Sequence, residues 1–61
     1  MAKRDDWLLD IAQVKERVRL SPMTIARLER AGRFPQRRRV ASRAVRWVKS
    51  EIDQWISARA E

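Results

Sequence analysis

The chain of 61 residues has no cysteine, no histidine and no tyrosine, and Gly32 is its one glycine. Without cysteine there is no disulfide framework, and without cysteine or histidine a zinc staple is not expected. The same gaps remove the usual nucleophiles and the usual general base, and one glycine cannot build a phosphate-cradling loop. Glu51 and Asp53 stand two apart, so on a helix they point in different directions and suit a first turn better than a catalytic pair. Neither an enzyme nor a cofactor, metal site or small-molecule substrate is expected. No apolar run approaches the roughly 20 residues of a membrane span. The opening "MAKRDDWLLDIAQ" also lacks the uninterrupted apolar region of a secretory signal. These absences point away from a membrane and toward the reducing cytoplasm.

Acids are scarce too. Eight Asp and Glu face 15 Lys and Arg, for a net charge of +7. Arg30, Arg33, Arg37, Arg38, Arg39, Arg43, Arg46 and Lys49 follow one another with no acid between them, whereas Asp5, Asp6, Asp10, Glu51, Asp53 and Glu61 lie toward the ends. A basic middle on so small a chain implies a polyanionic partner, nucleic acid before a membrane surface.

Three tryptophans, Phe34 and a set of Val, Ile and Leu remain to build one small core. Asp10 is the expected N-cap of a helix over 11–18, with Ile11, Val14 and Val18 at helical spacing and Gln13 completing a capping box. Trp7, Leu8 and Leu9 precede the cap and are expected to pack beneath it. Ser21 as N-cap, Pro22 at the first helical position and Gly32 past the end frame a second helix over 22–31. Ile25 and Leu28 mark its buried face, with Thr24, Arg27, Glu29 and Arg30 largely outside it. Arg19 and Leu20 alone separate the first helix from Ser21, a connection short enough for a helix-turn-helix.

After Gly32 the period changes. Val40, then Val45 and Trp47, predict two short strands joined through "ASRA", a hairpin within 36–48 whose apolar face turns Arg37 and Arg39 outward together. Ser50 is the expected N-cap of a final helix over 51–60, with Ile52, Trp55 and Ile56 on one face and Arg59 near its end. All three tryptophans are expected in the core. The predicted fold is a mainly α domain with a small β-hairpin, a winged helix-turn-helix in the order helix, helix, hairpin, helix. It occupies residues 1–61 as one domain, with residues 1–6 expected to be disordered.

Such a fold carries two candidate contact surfaces. The first is the second helix, whose N-terminal residues Ser21, Met23 and Thr24, with Arg27 and Arg30, would meet base edges in a major groove. Arg27 suits a guanine edge, and Thr24 or Met23 a thymine methyl. The second is the wing, where Arg37, Arg38, Arg39, Ser42 and Arg43 would touch phosphates or a minor groove.

The segments "LLDIAQV", "LSPMTIARL", "GRFP", "RAVRW" and "SEIDQWI", in this order and with these gaps, resemble the AlpA-like regulators of prophages. These are small proteins with a MerR-type winged-helix fold, related to phage excisionases. The resemblance runs from Leu8 to Ile56. It implies a transcription regulator that binds a specific duplex DNA site, or an excisionase-like factor that bends DNA for an integrase. It maps the reading helix onto Ser21, Met23, Thr24 and Arg27, the wing onto Arg37, Arg38, Arg39, Ser42 and Arg43, and a recurrent arginine for backbone phosphate onto Arg46. A homodimer or cooperative oligomer on DNA, close to the bacterial nucleoid, is the expected working form. An alternative of another class is a basic protein–protein module.

Three departures stand out. Arg19 occupies a position where the family has glycine, Ala41 replaces a glycine of the wing turn, and Arg38 replaces a residue that is often apolar.

Overall fold

A computed structural model describes residues 7–59. The expectation of disorder over residues 1–6 and the last helical residue, 60, lie outside the described residues. The elements run β1 (Leu8–Leu9), α1 (Ile11–Val18), α2 (Pro22–Arg30), β2 (Arg38–Ala41), β3 (Ala44–Val48) and α3 (Lys49–Arg59). The three strands form an antiparallel sheet in the order β1-β3-β2.

Local chemistry sets the first two helices. Asp10 accepts from the Gln13 backbone N–H at 2.9 Å, and the Asp10 N–H donates to Gln13 Oε1 at 2.9 Å, the reciprocal pair of a capping box. Ser21 Oγ accepts from the Thr24 N–H at 3.2 Å, one residue before Pro22 opens α2. At the other end of α2, Gly32 N–H donates to the Glu29 carbonyl and Arg33 N–H to the Leu28 carbonyl. That closing pattern needs a left-handed residue, and Gly32 supplies it at φ 73°. The helix proper ends at Arg30, one residue short of the expected 31, because Ala31 is its cap.

Packing then fixes how the pieces meet. Leu9, Val14, Ile25, Phe34, Trp47 and Ile52 form the buried core. Each such side chain contributes about 1.5–3 kcal/mol when buried, against about 1 kcal/mol for a cap. Caps therefore mark where helices start, and the core holds them. Ile11, Val18, Leu20, Leu28, Val45, Trp55 and Ile56 pack around it half-buried.

Four sequence expectations need correction. β1 was not foreseen: Leu8 pairs with Val48 and Leu9 with Trp47, which gives a two-residue segment with no visible period a place in the sheet. Trp7 is not core but 59% exposed, because β3 ends at Val48 and leaves no sheet to cover the residue before Leu8. Val40 is 49% exposed. The register steps from Arg39↔Val45 to Ala41↔Ala44, so Val40 is the unpaired residue of a bulge and leaves the inward face. Finally, Ser50 does not cap the last helix. The chain passes from Val48 straight into α3 at Lys49, whose ammonium bonds Asp53 at 2.7 Å one turn on.

The bulge answers the departure at Ala41. Among the described residues Arg19 is the one non-glycine with positive φ, so Ser42 and Arg43 turn the hairpin without the left-handed residues of the mirror-image turns. Extra twist at the bulge compensates for the splay that such a turn causes.

Arg19 itself ends α1 at φ 61°, ψ 37°. A side chain in that region costs about 1 kcal/mol relative to glycine. Replacing Arg19 with Gly is therefore expected to stabilise the domain by up to about 1 kcal/mol, a rise in melting temperature of roughly 4–8 °C for a chain of this size. Thermal unfolding followed by circular dichroism checks this, and a lower melting point would show that Arg19 earns its place by a contact.

Candidate nucleic-acid interface

On α2 the residues at positions 23, 27 and 30 follow a 4- and 3-residue spacing, so Met23, Arg27 and Arg30 share one stripe. All three are exposed, Met23 to 68%. An Arg27 Nη2 donor lies 3.8 Å from Met23 Sδ, so the two side chains lie along each other. Ser21 is exposed and Thr24 half-buried, with their hydroxyls 3.0 Å apart. From its cap to its last residue α2 thus presents two hydroxyls, a thioether and two guanidinium groups in one strip.

Glu29 does not belong to that strip, although its polarity placed it outside the buried face. It is 9% exposed and lies one turn from the fully buried Ile25. Its carboxylate accepts from the Arg37 backbone N–H at 2.9 Å and from Arg37 Nη2 at 2.7 Å and Nε at 3.0 Å. The indole N–H of Trp47 donates to it at 3.1 Å. Its backbone carbonyl accepts from Gln36 Nε2 at 2.9 Å. A buried carboxylate is tolerated only when its charge and lone pairs are matched, and here a fork, a backbone amide and an indole match them. The hydrogen bond to Glu29 holds the Arg37 guanidinium above its ordinary pKa against the opposing effect of burial, and the Glu29 charge adds to the rise.

This corrects the expectation that Arg37 and Arg39 turn away from the apolar side of the hairpin. Arg37 precedes β2, folds back on Glu29 and lies 5.0 Å from the centre of the Trp47 ring. Arg38 pairs instead with Glu51 of α3, Nη2 to Oε2 at 2.8 Å. In the antiparallel register Arg38 stands opposite Arg46, and Arg39 opposite Val45. Directly paired residues share a face, so Arg39 lies on the side of Val45 and Trp47, the side whose indole reaches α2. Arg46 is half-buried and donates to the Val45 carbonyl at 2.7 Å. Ser42 and Arg43 are exposed at the hairpin turn.

The arginine run therefore divides. Arg37 and Arg38 are tied to acids. Among the described residues Arg27, Arg30, Arg39 and Arg43 have no acidic partner, and neither do Arg19 and Arg33, which the sequence reading had not placed on a contact surface. The signal for Glu29 was present in the spacing from Ile25, and its charge masked it. Nothing local pointed to Glu51, which meets Arg38 from 13 residues away.

A cluster of His, Cys, Asp and Glu able to hold a metal is absent among the described residues. No described helix is long and apolar enough to cross a membrane. Two helices joined by a short turn, followed by a hairpin whose inner strand packs against α1 and α3 and is bonded to α2 through Trp47 and Glu29, define a winged helix-turn-helix. Residues 8–60 match the family described as the prophage CP4-57 regulatory protein (AlpA), and the chain belongs to that family. Its class is thereby that of prophage regulatory proteins of the DNA-binding kind. No curated protein matches the chain.

The Glu29 cluster carries a direct consequence. Glu29→Gln leaves Arg37 without its counter-charge, and is expected to cost about 2–4 kcal/mol, less than a fully buried pair because the Arg37 side chain is 43% exposed. Urea unfolding followed by Trp fluorescence measures it. A double-mutant cycle with Arg37→Ala should give a coupling above about 1 kcal/mol, and additive losses would refute the cluster.

Proposed function

We propose that this protein is a sequence-specific duplex-DNA-binding regulator of transcription that works without catalysis. The strip of Ser21, Met23, Thr24, Arg27 and Arg30 on α2 enters the major groove, where Arg27 pairs with a guanine edge. Arg39, Ser42 and Arg43 of the wing lie along the flanking phosphates, with Arg46 behind them. The observation that carries this reading is that the guanidinium groups of α2 and of the wing tip have no acidic partner among the described residues, while Glu29, Glu51 and Asp53 each have a basic one. An unmatched cationic strip beside a helix of groove-fitting width is a surface built for phosphate.

One copy spans a short site, so useful selectivity calls for a homodimer or cooperative copies on repeated half-sites. The protein then acts in the bacterial cytoplasm, on the nucleoid. An integrase as partner belongs to the excisionase-like alternative, and no observation in the fold favours it over the regulator.

Selection from a random duplex pool, followed by sequencing of bound molecules, tests the reading. An enriched motif that relaxes at one position on Arg27→Ala is the expected result, at a loss of about 1–3 kcal/mol on the selected site. If about five phosphates are neutralised, the log–log salt slope is near −4.5, and replacing Arg39 and Arg43 together with Ala makes it shallower by about 1.8. Absence of binding at low salt would mean that the basic face answers to a protein.

A further inference from the structure

We propose that Glu51 is an internal competitor for the DNA backbone: it occupies the Arg38 guanidinium, withholds one cation from the phosphates and so lowers non-specific affinity. The inference rests on the DNA-binding reading above.

Arg38 stands on β2, an edge strand of the sheet. Its Nη2 meets Glu51 Oε2 at 2.8 Å, with both side chains well exposed, at 56% and 36%. An exposed pair of this kind is worth little to stability, so the fold does not require it. The pair also has little to do with neighbouring structure, since Glu51 belongs to the first turn of α3 and would favour that helix end without any partner. Arg46 lies directly across the ladder from Arg38, and like charges in that position repel. Glu51 removes that repulsion when no DNA is present. On DNA a phosphate would do the same, so carboxylate and phosphate compete for one guanidinium. While Glu51 holds Arg38 the pair is neutral and releases no counterion, and Arg39 and Arg43 at the wing and Arg27 and Arg30 on α2 carry the electrostatic part alone. Because non-specific binding is nearly all electrostatic and specific binding is not, withholding one cation raises the ratio between them.

The test compares the full-length protein with Glu51→Gln, Arg38→Ala and the double variant, each titrated onto a random-sequence duplex at several salt concentrations. Glu51→Gln is expected to steepen the salt slope by about 0.9 and to tighten non-specific binding roughly 8-fold at 0.1 M salt, the value of one further released counterion. Arg38→Ala is expected to leave the slope unchanged, and Glu51→Gln added to it to change little. An unchanged slope in Glu51→Gln overturns the proposal. So does a tightening that persists in full in the Arg38→Ala background, which would reflect only the loss of one negative charge. Glu51→Asp shortens the reach while keeping the helix-end charge, and should fall between wild type and Glu51→Gln. Thermal melting of each variant shows whether it is folded, and a Glu51→Gln that fails to fold transfers the same comparison to Glu51→Asp. Wild-type protein that binds no duplex at low salt refutes the DNA reading itself, and this proposal with it, whereas wild-type binding without the slope change refutes this proposal alone.

Discussion

A carboxylate taken out of water has to find its charge and its hydrogen bonds inside the protein, and in this chain α2, the segment that follows it and the central strand meet at one that does. Glu29 is reached by the backbone and side chain of Arg37 and by the indole of Trp47, and its own carbonyl holds Gln36. These contacts tie α2 to the segment that leaves it and to the central strand of the sheet. Directional, charge-assisted bonds thus add to apolar packing in setting how α2 meets the sheet.

The cluster also explains how so basic a chain folds. A run of arginines without intervening acids would repel itself if it stayed in one place. The fold instead draws Arg37 in to Glu29, Arg38 across to Glu51 and Lys49 to Asp53. Trp47 and Trp55 offer their ring faces to Arg37 and Arg59, at 5.0 Å and 4.3 Å. Arg27 and Arg30 on α2 and Arg39 and Arg43 of the wing are left without an acidic partner among the described residues, as are Arg19 and Arg33. Charge is thus divided by geometry into a part that meets acids and a part that does not.

How legible this was depends on distance along the chain. Asp10 with Gln13 and Ser21 with Thr24 act over three residues, so both helix starts could be read directly. Gly32 was readable for the same reason, since a left-handed helix end nearly calls for glycine by itself. The winged helix-turn-helix and the strip of Ser21, Met23, Thr24, Arg27 and Arg30 followed from those markers. Val40 and Trp7 did not, although both are apolar. One sits in a bulge and the other beyond the end of its partner strand, and neither property is visible in periodicity.

The sequence by itself determined where α1 and α2 start, the turn between them, the basic middle and the class of fold, because these rest on interactions within a turn or on composition. Only the tertiary structure decided which arginines meet an acid, that Glu29 faces inward, that Leu8 and Leu9 form a strand, and that Glu51 holds Arg38. Glu29 and Trp47 are 18 residues apart, and Arg38 and Glu51 are 13 apart. An ion pair at such separation exists only after the core has brought its two elements together. The physical reason is that charge is indifferent to sequence and answers only to distance and burial, which belong to the folded chain.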